Sequence, residues 1–361
     1  MKYLYTYIAK KFINTFLFSI LALTLIFIIV DLFEHLDDFL DRNASLLLIA
    51  KYYLFYIPSI LKILFPIATL LATLFSIGNL ANLNEITAMK SGGLSLYKIF
   101  VPLLIVTFFI TFIQLLFATH LSPMTNKYKA ELEREALGKN NNQVYLSQIY
   151  LRDNPHRIIL IRDYNARFQN GFNMQIIDFK ENLNKPRINK TASTTTFKWD
   201  SIKNSWQLNS VRQRYIINKR VQEKIVADTN IKFTFSNEDL ARMSATIDEL
   251  NINELYKFLE FRKKGGEDIE MELTKFYGTL AFPFANFVVL LFGIPFASIK
   301  KQGGTAVQIG AALVVSFIYL IFTEIGQTIG FTMGIHPLFS AWLANIVFLI
   351  IGLIVLFKTP K

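Results

Sequence analysis

Six stretches of this 361-residue chain are long and apolar enough to cross a bilayer: Phe12–Val30, Leu46–Ile77, Ile99–Thr119, Tyr277–Ala297, Thr305–Gly330 and Leu338–Phe357. Crossing roughly 30 Å of hydrocarbon takes about 20 helical residues. Lipid offers no partner to a free backbone N–H or C=O, so each stretch has to be a helix. The first stretch is too long for the apolar core of a secretory signal and lacks an Ala-x-Ala-like cleavage site, so it reads as a retained span. The chain is 52% hydrophobic and has no cysteine, which excludes both a disulfide framework and a thiolate metal site.

The short segments give the orientation. If the six spans alternate, Lys2, Lys10, Lys11, Lys90, Lys98, Lys300, Lys301, Lys358 and Lys361 all lie on one side. The opposite loop, Asp31–Ser45, sets Asp31, Glu34, Asp37, Asp38 and Asp41 against a single Arg42. Short cytoplasmic loops are rich in Lys and Arg, so both termini are expected in the cytoplasm. Residues 1–120 then hold spans one to three with a cytoplasmic loop at 79–98, and residues 266–361 hold spans four to six.

Between them, residues 121–265 form a large extracytoplasmic insert. Its apolar runs are short and alternating: Gln143–Leu151, Arg157–Asp163, Phe172–Phe179, Thr194–Trp199, Trp206–Arg214 and Ile231–Phe235. Breaks such as Asn140-Asn-Asn142, Asn170-Gly171 and Lys203-Asn204 separate them, the pattern of an antiparallel β-domain. Tyr145, Ile149, Leu151, Ile158 and Leu160 are the expected inward side chains. Asp248–Lys264 returns to helical spacing and ends at Gly265-Gly266. The insert carries 25 Lys and Arg against 16 Asp and Glu, or +9 of the chain's total of +11. Such a domain suits an anionic partner, and outside the cytoplasm that partner is a lipid headgroup or a phosphorylated glycolipid, with no nucleic acid. No internal repeat is visible, so any pseudo-symmetry has to come from a second subunit.

Between spans two and three lies Asn84-Glu-Ile-Thr-Ala-Met-Lys-Ser-Gly-Gly-Leu-Ser95, a polar cytoplasmic loop with a helical first half and a Gly92-Gly93 break. It has the form of a surface that docks onto a soluble motor. Span four closes with Leu290-Leu-Phe-Gly-Ile-Pro-Phe-Ala297, and the insert contains Trp199-x6-Trp206. These segments, and the order of three spans, β-domain, three spans, resemble the LptF/LptG family of lipopolysaccharide export permeases over nearly the whole chain. The acidic loop after span one and the lysine in span two lean towards the LptG type.

The resemblance implies a polytopic α-helical protein of the bacterial inner membrane with six transmembrane helices and a periplasmic, jellyroll-like β-domain. It implies a homologous permease subunit forming a heterodimer, a cytoplasmic ATPase dimer, and a single-span periplasmic bridge protein that receives lipopolysaccharide from the outer leaflet. Glu85 alone reads as a carboxylate suited to the positive end of a short helix. The family motif implies that it enters a groove of the ATPase and meets a basic group there, with Ala88, Met89, Gly92 and Gly93 giving a close-approach surface.

Lys62 lies inside span two, where a bare charge costs several kcal/mol and marks a functional hypothesis. At about 1.5 Å per residue it stands roughly 25 Å above the cytoplasmic end near Gly78, and Asp31 and Glu324 stand roughly 29 Å above theirs. Two compatible readings follow. Lys62 pairs with Asp31 or Glu324 or snorkels to the interface, or it faces a cavity and contacts the phosphates of lipid A. Lys51 falls on the same helical face, and Lys127, Lys129 and Arg134 continue the basic ladder, diluted by Glu131, Glu133 and Glu135. Pro58 and Pro66 flank Lys62 and can bend the span as a lateral gate.

No Gly-x-x-x-x-Gly-Lys-Ser/Thr and no His-Glu-x-x-His occurs, and the four histidines are scattered. The chain is therefore expected to be a transport subunit without its own ATPase, metal or cofactor, with ATP hydrolysed by a partner. The rival readings are a membrane-anchored periplasmic scaffold or binding module, and a permease for another anionic lipid or lipoprotein. An intramembrane enzyme is disfavoured by the absence of a clustered acid, base or nucleophile.

Overall fold

The computed structural model describes residues 2–136, 145–180, 187–217, 220–298 and 304–358. The chain divides into two compact units, Met1–Lys139 with Glu270–Lys361, and Asn140–Ile269.

The first unit is helical. It begins with α1 (Lys2–Glu34), α2 (Leu36–Asp41), α3 (Leu46–Asn82), α4 (Glu85–Ser91) and α5 (Leu96–Leu116). A widened π-helical turn at Phe117–Leu121 leads from α5 into α6 (Ser122–Ala136). Among the described residues, six helices are long and apolar enough to span a membrane. The third of them continues past Thr119 to Glu133, which moves the start of the insert from residue 121 to about residue 140. Polar residues hid that continuation in the sequence. Ser59 of α3 joins Ser122 Oγ at 2.8 Å and donates to Asn126 Oδ1 at 2.6 Å, holding the polar extension against α3.

Helix α3 is the centre of this unit and packs against α1, α5 and α6. The buried stripe of α1 is Ile8, Phe12, Phe16 and Ile20, four residues apart; α1 packs against α3 and α5 and leaves apolar side chains such as Leu17, Phe18, Leu21 and Leu25 exposed.

The second unit is an antiparallel sheet of eight strands: β1 (Tyr145–Asn154), β2 (Arg157–Asn165), β3 (Asn170–Phe179), β4 (Ile188–Asp200), β5 (Ser205–Asn209), β6 (Val211–Ile217), β7 (Arg220–Val226) and β8 (Thr229–Ile231). Strands β1 to β5 pair in sequence order, β8 adds to β5, and the long β4 also takes β6, which carries β7. The stretch read as one strand, Trp206–Arg214, is two: Ser210 turns to φ +49° and divides β5 from β6. Within β2 the inward residues are Ile159 and Ile161, not Ile158 and Leu160. Four consecutive apolar residues carry no alternation and leave their phase open; across β3, Ile159 pairs with Ile176 and Ile161 with Met174, all four buried. Ile149 and Leu151 point inward as expected, and the side chain of Tyr145 lies outside the described residues.

The core of the sheet is aromatic. Trp199 and Trp206 are direct cross-strand partners with ring centroids 5.0 Å apart, and Trp206 is fully buried with Nε1 donating to the Phe235 carbonyl at 3.2 Å. Helices α7 (Asn237–Ser244) and α8 (Ile252–Lys264) follow, each opened by a capping box, Ser236 with Asp239 and Asn251 with Glu254.

The chain returns to the first unit as α9 (Glu270–Ala281), a 3-10 turn at Phe282–Phe284 and α10 (Ala285–Ser298), which together make the fourth span. The fifth and sixth are α11 (Gly304–Thr332) and α12 (Pro337–Lys358).

Candidate functional site

On the loop between spans two and three, the expected helix is α4. Its C-terminus is a Schellman closure: Leu94 N–H donates to the Met89 carbonyl at 3.1 Å and Gly93 N–H to the Lys90 carbonyl at 2.9 Å, with Gly93 at φ +84°. Ile86 is buried and Met89 packs against the same membrane-unit core, so Met89 anchors the helix instead of widening its outward face. Thr87, Ala88, Ser91, Gly92 and Gly93 are exposed, which leaves a surface of small side chains. Glu85 is held from within the chain. Tyr7 Oη donates to both its oxygens, at 3.0 and 3.2 Å, and Lys11 Nζ lies 3.7 Å from Oε1. The first span is thus tied to α4 through this carboxylate.

Lys62 is half-buried in α3. Among the described residues it has no ion-pair partner. Asp31, placed at a similar depth, accepts instead from Tyr53 Oη at 2.9 Å and lies 3.6 Å from His35 Nδ1. Glu324 is exposed on α11. Equal depth therefore does not bring these three charges together, because α1 turns Asp31 towards Tyr53.

Both Pro58 and Pro66 are buried within an unbroken α3. Pro66 has no N–H, so the Lys62 carbonyl four residues earlier loses its helical donor. Gln114 of α5 fills the position: its Nε2 donates to the Lys62 oxygen at 2.7 Å. Gln114 Oε1 in turn accepts from Asn286 Nδ2 of α10 at 2.6 Å, and Asn286 Oδ1 accepts from Thr69 Oγ1 of α3 at 3.0 Å. Gln114, Asn286 and Thr69 are all fully buried. The 3-10 break in span four is closed the same way, with Asn286 Nδ2 donating to the Pro283 carbonyl at 2.9 Å and Asn345 Nδ2 to that of Ala281 at 2.8 Å. Tyr319 Oη of α11 completes the second chain by donating to Asn345 Oδ1 at 2.7 Å.

The ladder residues separate. Lys51 and Lys127 are exposed. The Lys129 ammonium sits 3.9 Å over the Tyr56 ring and 5.6 Å from that of Tyr52, with Glu133 at 4.0 Å, so it is engaged by an aromatic cluster that also includes Tyr53 and Phe39. Arg134 belongs to α6, and its side chain lies outside the described residues.

A family model described as lipopolysaccharide export system permease LptF/LptG matches residues 6–358. The chain belongs to this family. Its sequence is 23% identical to the lipopolysaccharide export system permease protein LptG of Haemophilus influenzae over 300 residues, 81% of each chain. It is 20% identical to LptG of Escherichia coli strain K12 over 361 residues, covering 98% of this chain and 97% of that one. With six apolar helices and an inserted antiparallel β-domain, this LptG-like member of the LptF/LptG family is a multi-pass inner-membrane permease.

Reading the sequence of this LptF/LptG permease for charges missed its amides. Gln114 and Asn286 each stand almost alone among apolar residues, and a polar side chain inside a span is the signal that should have marked them. Tyr7 and Lys11 gave no such signal, since a lysine and tyrosines at the start of a helix are ordinary.

Proposed function

We propose that this subunit pairs with a homologous permease, draws lipopolysaccharide sideways from the outer leaflet into a cavity between the two, and passes it through its β-domain to a single-span bridge protein. A cytoplasmic ATPase dimer supplies the energy. In this arrangement both termini are cytoplasmic and the β-domain is periplasmic. The apolar faces of α1 and α11 that the single chain leaves bare, such as Leu17, Phe18, Phe317 and Ile321, suit coverage by lipid or by the second subunit.

The observation that carries the reading is the state of Lys62. An ammonium at the centre of a span costs about 2.5–3.5 kcal/mol on insertion scales, and one nearer the boundary, as Lys62 is, costs less. The acidic groups nearest in depth do not neutralise it, so a lipid A phosphate would recover part of that cost as a charge-assisted contact. Lys51 of α3 and Lys127 of α6 are exposed, and in this reading they meet further anionic groups of the same glycolipid. Pro58 and Pro66 give α3 the local weakness for lateral opening. Lifting acyl chains from the leaflet costs about 0.8 kcal/mol per CH₂, which demands a motor. The chain lacks the P-loop signature, so that motor is the partner ATPase, reached through the small-residue face of α4 with Glu85 at its start.

The test is reconstitution of the permease pair with its ATPase in lipopolysaccharide-loaded proteoliposomes, measuring ATP-dependent delivery to the bridge protein. Lys62→Gln is expected to cut delivery with the complex still assembled, and Glu85→Lys to cut ATPase association. Wild-type delivery by both variants would overturn the reading in favour of a periplasmic scaffold.

A further inference from the structure

Two features meet at one point in α3. Pro66 removes the N–H that would serve the Lys62 carbonyl, and the residue whose carbonyl is orphaned is the one whose ammonium has no ion-pair partner among the described residues. The orphan is met by a side chain of a different span, Gln114 Nε2 at 2.7 Å. Gln114 is itself fixed, with its Oε1 taken by Asn286 at 2.6 Å, and Asn286 is bound back to α3 through Thr69 at 3.0 Å. Thus α3 is gripped on both sides of Pro66, at Lys62 and at Thr69, by one buried chain of amides from α5 and α10. Immediately after Gln114, α5 widens into the π-helical turn Phe117–Leu121, a local irregularity that often accompanies functional sites.

A proline inside a helix leaves the preceding turn free to swivel, since the hydrogen bond that locks it is missing. The Lys62 side chain grows from that turn. Whatever holds the Lys62 carbonyl therefore holds the direction in which the ammonium leaves the helix.

We propose that Gln114 is a positioning residue for substrate capture: by taking the carbonyl that Pro66 orphans, it sets the rotation of the Lys62 turn and so aims the Lys62 ammonium at the anionic headgroup of the lipid. Asn286 keeps Gln114 in the donating orientation. Gln114 itself touches no substrate. The inference rests on the assignment of Lys62 to lipid phosphate and adds to it the device by which the lysine is presented.

The device predicts a dependence between two residues that share no side-chain bond. Alanine at position 66 restores the backbone N–H, and the Lys62 carbonyl is then satisfied within α3 whether or not Gln114 is present. The readout is the concentration of lipopolysaccharide that half-saturates ATP hydrolysis by the assembled permease–ATPase complex. Gln114→Met is expected to raise it about tenfold, with the maximal ATP turnover within about twofold of wild type, the size of effect that follows from losing one buried polar contact. The double variant Pro66→Ala/Gln114→Met is expected to match Pro66→Ala. A fold defect alone would lower assembled complex or maximal turnover and would not be repaired at position 66.

Gln114→Met without effect on half-saturation overturns the proposal, and so does a rise that Pro66→Ala fails to repair. If Gln114→Met alone does not assemble, the double variant is read against Pro66→Ala: equality supports the device, and a rise of about tenfold overturns it. Lys62→Gln separates this failure from that of the reading beneath it. An unchanged half-saturation for Lys62→Gln removes the phosphate assignment and this inference with it, whereas a raised value beside a wild-type Gln114→Met removes the inference alone.

Discussion

Gln114 Nε2 donates to the Lys62 carbonyl, 2.7 Å across the boundary between α5 and α3, at the carbonyl that Pro66 deprives of its helical partner. The membrane unit repeats this solution. Three backbone carbonyls beside a proline or the 3-10 turn in α3 and span four, those of Lys62, Ala281 and Pro283, are met by an amide side chain from a neighbouring or following segment. Buried amides thereby do in the hydrocarbon what water does at a loop.

Asn286 is the most connected of these groups, bonded to Thr69, Gln114 and the Pro283 carbonyl. Interhelical hydrogen bonds in membranes average about 0.6 kcal/mol and reach about 1.7, so Asn286→Leu should cost about 2–3 kcal/mol. Denaturant unfolding in detergent measures it. A loss below about 0.5 kcal/mol, the range of a neutral surface change, would show that the network is not what joins α3, α5 and α10.

Gly171 in β3 stands where a Cβ would meet the Phe197 ring at 2.3 Å and the Asp163 carbonyl at 2.6 Å. The ring has a little freedom, but the backbone oxygen of the paired strand has almost none. Gly171→Ala should therefore destabilise the β-unit by about 1–3 kcal/mol, as overpacking does. Proteolytic susceptibility of the unit in the intact protein is a direct measure.

The two glycines that close α4 should behave differently. Gly93 holds φ +84° with open space around it, so Gly93→Ala carries only the left-handed penalty of about 1–2 kcal/mol. Gly92 has ordinary φ, and an added Cβ would meet the Met89 and Ala88 carbonyls no closer than 3.4 Å, so Gly92→Ala should change stability by less than about 0.5 kcal/mol. Both positions lie on the exposed face. Comparing ATPase co-purification for each with its thermal stability separates a docking defect from a folding one, and lost co-purification with Gly92→Ala at unchanged stability is the expected sign of a close-fitting partner.

Tyr164 is buried in the sheet core, its hydroxyl donating to Asn237 Oδ1, and burial pushes its ionisation well above the usual tyrosine range. Because the folded-state value is raised, its contribution is fully present below the unfolded value of about 10 and is lost as pH rises beyond it. The β-unit should lose stability above about pH 10, and Tyr164→Phe, which keeps the ring stacked on Phe197, should flatten that alkaline slope. A pH series of thermal melts tests this, and an unchanged slope in Tyr164→Phe would assign the alkaline loss to other groups.

The six spans, the α4 loop and its glycine closure, and the β-character of the insert were legible because each follows from a local pattern: run length, a break residue, alternation. What was not legible is azimuth and partnership. Depth along a helix placed Lys62 and Asp31 at one level, yet Tyr53 and His35 take Asp31, because rotation about the helix axis is set by packing. The phase of Ile158–Ile161 was lost in an unbroken apolar run. The edge strand β7 was missed because nearly all its side chains are exposed, so neither face carries an apolar signature. Gln114 and Asn286 were visible as letters, but the carbonyl each serves belongs to the backbone of other residues, and no side-chain pattern announces an orphaned carbonyl except the proline four residues later.

The central claim is that Lys62 meets lipopolysaccharide inside a cavity that the ATPase empties. Photoreactive residues at Leu61 and Ile63, flanking an intact Lys62, with Tyr56 as the control position, test it in native membranes with and without ATP. A lipopolysaccharide adduct is expected from at least one flanking position, falling when ATP is supplied and disappearing in Lys62→Gln. Adducts confined to neighbouring spans, unchanged by ATP and indifferent to Lys62→Gln, would contradict it and leave Lys62 as a structural charge.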